Sequence, residues 1–207
     1  MTTVFTHAVV PLALGLALGP KRVSGRLLAA GVLASVAPDF DVLGMHFFDL
    51  PYGHALGHRG ASHSLLASGL WAALAAWCWR GLRGRSALGV FGFVFASMVS
   101  HPLLDTLTTG GMGVALWWPL SDARLFAPWQ FIHVSPMGVR HVWGGPLGQA
   151  LLSELRWVWL PAFGLAGLVR LWLSLGGRGL PDLRGHLEQA GHGGRPAGVG
   201  RVQRRHE

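Results

Sequence analysis

Long apolar runs separated by polar or glycine-rich stretches set the pattern of this chain. The runs cover residues 4–19, 27–37, 64–79, 86–100 and 157–175. A helix needs about 20 apolar residues to cross the hydrocarbon core of a bilayer, and most of these runs approach that length. The pattern therefore predicts an all-α integral membrane protein with about four to five membrane helices.

The shorter run and the segments between the runs complete the predicted outline. The run at 27–37 is too short to span alone and stops before Pro38, because proline disfavours helix at the preceding residue; it either begins nearer Pro20 or forms a half-span. Residues 42–63 are predicted to be a loop outside the hydrocarbon, and 106–154 to be loops with short interfacial helices. The Gly- and Arg-rich residues 176–207 are predicted to be a flexible tail, leaving 1–175 as the membrane-embedded domain.

Composition agrees with a membrane protein and excludes other classes. Apolar residues make up 51% of the chain and charged residues only 13%, against about 25% charged in soluble domains. The ten tryptophans fit the two bilayer interfaces. The net charge of +8 does not predict nucleic-acid binding, because the basic residues lie between apolar runs and in the tail. The single cysteine, Cys78, excludes a disulfide framework or a Cys-rich zinc site and is predicted to be a buried or lipid-facing hydrophobe.

The basic residues are divided unevenly between the two predicted sides of the membrane. Residues 20–26, residues 80–85 and the segment from Arg170 onward hold 13 of the 17 lysines and arginines. By the positive-inside rule this side is cytoplasmic. The tail is therefore predicted inside the cell, and the segments 42–63 and 106–154 outside.

Histidine and aspartate recur where the apolar runs begin or end. His101 and Asp105 have i, i+4 spacing, so on one helix their side chains share a face; Pro102 either kinks that helix or opens a new one. The other clusters are His7, the pair Asp39 and Asp41, and the pair His58 and His63. Imidazole and carboxylate suit zinc, manganese or iron. The clusters predict an outer-face site for two or more divalent ions.

Each cluster also has an ordinary structural reading. His7 could be an interfacial histidine, the aspartates of PDFD could cap or turn the chain, and either His58 or His63 could hydrogen-bond only to backbone. Four further histidines have no carboxylate at helical spacing and are predicted to be loop residues: His46, His54, His133 and His141.

Four motifs occur in order over residues 1–130: HAVVPLALGLALG, APDFDVLG, HRGASHSLL and SHPLLDTLTTGGMGVALWWPLSDARLF. Together they resemble the successive motifs of the YdjM-like family of bacterial inner-membrane, metal-dependent hydrolases linked to LexA regulation. A more distant similarity is to zinc phospholipase C, an all-helical enzyme with several zinc ions. Its His-x-x-x-Glu pair has no counterpart here, because Glu154 lacks a histidine at that spacing. The resemblance therefore implies one to three divalent ions, with two favoured and zinc preferred over manganese. The resemblance implies these metal residues: His7, Asp39 or Asp41, His58, His63, His101 and Asp105.

Hydrolysis of a phosphoester or other ester bond is the function that the resemblance implies. Asp39 or Asp41 would orient or deprotonate the attacking water, while Arg59 and Arg124 are the outer-face cations for a phosphate, which arginine holds through its bidentate fork. Arg124 could equally be an interfacial anchor. A site at the headgroup level makes a phospholipid a candidate substrate. The alternative is a metal-ion transporter or a non-catalytic metal-binding protein, since intramembrane carboxylates also mark ion paths.

Overall fold

The computed structural model describes residues 2–79, 86–134 and 145–176, and all regular secondary structure in them is helical. The chain divides into one unit, Met1–Leu171, and a second, Trp172–Glu207, of which only the end of the last helix is described. The all-α prediction is confirmed for the described residues. His141 and the predicted tail beyond Gly176 lie outside the described residues.

In the described residues, seven α-helices follow one another. They are α1 (Val4–Leu18), α2 (Gly25–Val36), α3 (Val42–Phe48), α4 (Leu65–Cys78), α5 (Ala87–Thr106), α6 (Gly145–Glu154) and α7 (Leu160–Gly176). Turns of 3-10 helix at Ala37–Asp41 and Ala61–His63 precede α3 and α4. A π-helical turn at Leu155–Trp159 joins α6 to α7.

Within the part of the chain that the structure describes, three helical stretches are long and apolar enough to cross a membrane: Gly25–Phe48, Ala87–Thr106 and Leu147–Leu175. Helices α1 and α4 are apolar but shorter. The total of four to five membrane helices depends on whether these two also span, and it stays a prediction.

The stretch Gly25–Phe48 corrects two predictions. Helix α2 ends at Val36, before Pro38 as predicted, but the helical path continues, because Pro38 lies in the first turn of a 3-10 helix, where its missing N–H leaves no hydrogen bond unmade. The run at 27–37 therefore belongs to a longer helical stretch instead of a half-span. The loop predicted from residue 42 begins only after Phe48, so His46 is helical, although exposed.

Helix α5 lies at the centre of the packing, against α1, α2, α4 and both 3-10 turns. Val90, Phe93 and Val94 of α5 form a buried cluster with residues of α2 and α4. The backbone of α2 approaches closely at Gly31, where a Cβ would lie 2.5 Å from a Phe93 ring carbon and 2.8 Å from Ser97 Oγ. This contact brings the end of α2 and the following 3-10 turn beside the C-terminal half of α5.

Of the segment 106–154, predicted to hold loops and short helices, residues 145–154 form the short helix α6, and residues 107–134 contain no α-helix. Residues 107–134 form turns and irregular segments joined by two isolated β-bridges, Thr108 to Ile132 and Val114 to Leu125. Backbone hydrogen bonds from Ala115 to Arg59 and from Leu65 to Leu116 hold this segment against the loop before α4. The segment therefore fixes the loop that carries His58 and His63.

Candidate metal centre

Histidine and aspartate side chains converge at the C-terminal end of α5. Helix α5 runs unbroken through Pro102, so His101 and Asp105 share one face as their spacing predicts, with His101 Nε2 4.0 Å from Asp105 Oδ2. Around this pair lie His7 from α1, Asp39 from the first 3-10 turn, and His58 and His63 from the loop before α4. All four histidines and Asp105 are buried.

These residues form two overlapping groups whose donor atoms lie within 4.8 Å of one another. The first group contains His7, Asp39, His101 and Asp105, and the second contains Asp39, His58 and His63. His101 Nε2 lies 3.4 Å from Asp39 Oδ1, and His7 Nε2 lies 3.9 Å from Asp39 Oδ2. Donors bound to one zinc at about 2.0–2.1 Å lie roughly 3.3 Å apart in a tetrahedron. The spacing suits metal ligation, and Asp39 belongs to both groups.

Unpartnered polar atoms show that these donors fit a cation. Both carboxylate oxygens of Asp39 and Nε2 of His58 are buried without a hydrogen-bond partner in the described residues. Buried polar atoms normally find partners, because leaving them unpaired is costly. A divalent ion bound by nitrogen and oxygen would supply the missing interaction, and this donor set suits zinc, manganese or iron.

Asp41 differs from the predicted ligand role. It lies outside both metal groups, and its oxygens instead face Nδ1 of His58 at 2.7 Å and Nδ1 of His63 at 3.1 Å. Asp41 also accepts hydrogen bonds from Ser62 Oγ and the Arg59 backbone N–H. A carboxylate on the far nitrogen of a ligating histidine fixes its tautomer and ring orientation. Asp41 therefore turns both Nε2 atoms toward Asp39.

The remaining histidines of the centre are also fixed from outside. His101 Nδ1 lies 2.7 Å from the Ser35 carbonyl oxygen, which can only accept, so Nδ1 donates, while Nε2 faces His63 Nε2 at 3.0 Å and Asp39 Oδ1 at 3.4 Å. Burial lowers the pKa of His63 below its usual range. The His7 ring stacks on His101 with centroids 3.5 Å apart. These contacts hold the rings of His101, His63 and His7 in fixed orientations beside Asp39.

The two arginines proposed for phosphate binding have protein partners. Arg59 is fully buried, donates from Nε to Asp105 Oδ2 at 3.1 Å, and its two terminal nitrogens bond Gly110 and Thr108. Arg124 donates to the backbone carbonyls of His58, His54 and Tyr52. These contacts favour a role for Arg59 in orienting Asp105 and for Arg124 in fixing the loop, in place of the predicted phosphate contacts.

Three further histidines lie outside the metal groups, as predicted, and two buried residues near the centre were not predicted to contribute to it. His46, His54 and His133 are exposed and belong to neither metal group. Thr2, which sequence analysis does not single out, is buried with Oγ1 2.7 Å from His7 Nε2 and its N–H donating to Asp105 Oδ1. Glu154 is also fully buried. Its only sequence signal is that an acidic residue stands at the edge of an apolar run, where charge is costly.

Comparison with known proteins identifies relatives. A family model described as YdjM inner membrane protein matches residues 1–177. The chain is 44% identical over 173 residues to the inner membrane protein YbcI of Escherichia coli (strain K12), covering 83% of this chain and 98% of that protein. No solved structure matches the chain.

Proposed function

The chain belongs to the YdjM inner membrane protein family, and we propose that it is a membrane-bound, metal-dependent hydrolase of phosphoester or other ester bonds. The observation that carries the proposal is the pair of donor groups meeting at Asp39, whose carboxylate oxygens are buried and unpartnered. Two such groups sharing one carboxylate suit a pair of divalent ions, with zinc favoured and manganese as the alternative.

A pair of bound cations would supply an activated water and positive charge for the attacking and leaving oxygens of a displacement. The contribution of the protein's own residues is to hold the candidate ligands in place. Asp41 orients His58 and His63, the Ser35 carbonyl orients His101, and Arg59 holds Asp105. Asp39, as the carboxylate that both donor groups share, is assigned to holding the cations, which leaves Asp41 to be considered for orienting a water. Asp41 is engaged by four donors, so it is a weaker candidate for that step than the sequence suggests.

Exposed apolar side chains beside the centre support a lipid-like substrate. Phe40 lies between the two aspartates of PDFD, Phe47 and Phe48 end α3, and Leu56 lies two residues before His58; all are largely exposed. Such side chains at a membrane interface contact the headgroup and acyl boundary. The proposed substrate is therefore an amphiphilic ester, such as a phospholipid, and the proposed side is the outer face, supported by the distribution of 13 of 17 basic residues.

Metal transport is supported less well. A transport path needs ligands near the middle of the membrane and an exit on both sides. The donors here cluster where α5 ends and α1 begins, and Arg59, which is fully buried, bonds to Asp105 beside them. This arrangement favours a site used from one side of the membrane.

Metal analysis and hydrolysis assays of detergent-purified protein test the proposal. We expect bound zinc or manganese, turnover of a phosphoester or ester substrate that stops on chelation, and recovery when the metal is restored. Asp39→Asn should lose both metal and turnover. Asp49→Asn is the matched control, because Asp49 is exposed at the end of α3 in a left-handed conformation that asparagine tolerates. Chelator-resistant turnover, or full turnover in Asp39→Asn, would overturn the proposal.

A further inference from the structure

Glu154, at the end of α6, is a buried carboxylate outside both metal groups. Its oxygens accept hydrogen bonds from the Thr3 backbone N–H at 2.5 Å, from Thr3 Oγ1 at 2.6 Å and from Thr6 Oγ1 at 2.7 Å. Among the described residues it forms no ion pair with lysine, arginine or histidine. Its partners are thus hydrogen-bond donors at the start of α1.

The carboxylate binds at the N-terminus of α1 in the way of the glutamate in a capping box, because it accepts the backbone N–H of Thr3, the residue at the cap position. Thr3, the residue at the cap position, makes no capping hydrogen bond with its own side chain, and the first turn of α1 contains no acidic residue. A helix N-terminus carries unpaired N–H groups and partial positive charge, which a carboxylate stabilises. This interaction offsets part of the cost of burying Glu154 without a counter-ion. The start of α1 is therefore tied to the position of Glu154.

The π-helical turn after Glu154 adds a second contact to the same place. Trp159 Nε1 donates to Thr6 Oγ1 at 2.7 Å, so residues 154 and 159 both reach Thr6. Residues five apart on a regular α-helix point about 140° away from each other. The π turn at Leu155–Trp159 widens the helix and brings both side chains to one face.

These contacts bracket the residues that α1 brings to the metal centre. Thr3 and Thr6 are held by Glu154, while the adjacent Thr2 and His7 meet in the centre, with Thr2 Oγ1 2.7 Å from His7 Nε2 and Thr2 N–H bonded to Asp105. Docking alone does not need a carboxylate, because Val9 and Val158, and Ala13 and Ala166, already pack these helices together. What Glu154 adds to this packing is a fixed position for the first residues of α1.

We propose that Glu154 is a positioning residue for the metal centre: by capping α1 it places His7 and Thr2 against Asp105 and Asp39. The inference rests on the proposed metal centre but not on hydrolysis. Partners of metal ligands typically change metal affinity by 10- to 100-fold when removed. Glu154 acts one step farther out, through the helix that carries His7, so its removal should weaken the centre without removing a ligand.

Cobalt binding to the full-length, detergent-purified chain tests this role, because the visible absorption of Co²⁺ reports its ligands. Glu154→Leu keeps the volume of the side chain and removes its acceptors. We expect it to bind Co²⁺ at least 10-fold more weakly and with an altered spectrum. Glu154→Gln should stay within about threefold of wild type, because its amide can still accept from Thr3 N–H and donate to a threonine hydroxyl.

A control separates positioning from general loosening of the helices. Ala166→Leu crowds the contact of α7 with Ala13 and Ala17 of α1 but leaves the cap intact; it should lower thermal stability without changing the cobalt spectrum. In metal-free protein, hydrogen exchange of residues 2–10 should be faster in Glu154→Leu than in Ala166→Leu. If Glu154→Leu cannot be recovered folded, Thr6→Val, which removes one donor to the carboxylate, should weaken Co²⁺ binding at least threefold.

The outcomes distinguish the two proposals. A wild-type protein that binds Co²⁺ and a Glu154→Leu variant with the same affinity and spectrum would overturn the positioning role alone. Unchanged binding in Thr6→Val, where that variant is the one tested, would do the same. Absence of Co²⁺ binding in the wild type would overturn the metal centre and this inference together.

Discussion

Asp39 and Asp41 are two residues apart in the chain but have opposite surroundings. Asp41 is surrounded by donors from His58, His63, Ser62 and the Arg59 backbone, whereas neither oxygen of Asp39 has a hydrogen-bond partner. The 3-10 turn Ala37–Asp41 produces this difference, because it directs one carboxylate toward α1 and α5 and the other toward the loop before α4. Only Asp39 is left free for a cation.

Replacement of Asp41 should weaken the metal centre without abolishing it. Asp41→Asn places an amide N–H₂ where His58 or His63 needs an acceptor, so at least one ring loses its preferred tautomer. We expect metal affinity to fall by about 10- to 100-fold, measured by competition with a chelator of known affinity. Asp49→Asn should bind metal normally. Wild-type affinity in Asp41→Asn would show that the two histidines do not depend on this carboxylate.

The sequence predicts the ligands of the centre better than the residues that support them. His101 and Asp105 follow from helical spacing, and His7, Asp39, His58 and His63 follow from the clusters at the ends of apolar runs. The supporting contacts are formed by tertiary structure: Thr2 meets residues 103 positions away, and Glu154 meets Thr3 over 151 positions. No local sequence pattern predicts such pairings. The contact of Arg59 with Asp105 likewise joins residues that are distant in the sequence.

At the level of elements, the centre depends on how closely α2 lies on α5. Ser35 of α2 accepts a hydrogen bond from His101 of α5, and one helical turn earlier Gly31 lies against Phe93 and Ser97. A larger residue at position 31 would separate the helices beside the histidine. The glycine is therefore a geometric requirement of the metal centre as well as of packing.

Gly31→Ala should accordingly destabilise the protein although alanine favours helices. The new Cβ would lie 2.5 Å from the Phe93 ring and 2.8 Å from Ser97 Oγ, and overpacking of this kind costs about 1–3 kcal/mol, against a propensity gain of about 1 kcal/mol. Thermal unfolding in detergent measures the net effect. Gly92→Ala on α5 is the control, because nothing lies within 4 Å of its Cβ position, so it should be neutral or stabilising. A stabilised Gly31→Ala variant would contradict the close crossing.

Helix boundaries show where local sequence rules apply and where they fail. Pro102 lies inside α5 without breaking it, whereas α2 ends two residues before Pro38 and the helical stretch Gly25–Phe48 continues through that proline as a 3-10 helix. Gly15 of α1 allows Leu28 of α2 to approach closely, and Gly19 ends α1 at a positive φ of 74°. Runs of apolar residues predict which segments are helical. The packing of neighbouring helices determines whether the helical path continues through a proline and where a glycine allows close contact.

At the level of the whole molecule, family membership and apolar helices place the protein in the inner membrane, while charge predicts its orientation. Large apolar side chains such as Leu33, Leu70, Trp71 and Leu168 are exposed, as expected for surfaces that face lipid. Cys78 is exposed on α4, in agreement with its lipid-facing alternative. The flexible cytoplasmic tail predicted at 176–207 remains a prediction from composition.

Cysteine labelling of intact cells should show the side on which the centre lies. Cys78 is the single native cysteine, so Cys78→Ser provides a background for Leu56→Cys, two residues before His58, and Lys21→Cys in the basic loop after α1; Leu56 and Lys21 are both exposed. Because 13 of the 17 basic residues lie on the side of Lys21, positive charge should keep that side in the cytoplasm. A membrane-impermeant maleimide that has passed the outer membrane should label Leu56→Cys in intact cells and label Lys21→Cys only after the inner membrane is permeabilised. Leu33→Cys, exposed within the span Gly25–Phe48, should stay unlabelled because it faces lipid.

The reverse pattern at positions 21 and 56 would place the metal centre on the cytoplasmic face and limit its substrates to lipids of the inner leaflet and soluble cytoplasmic esters.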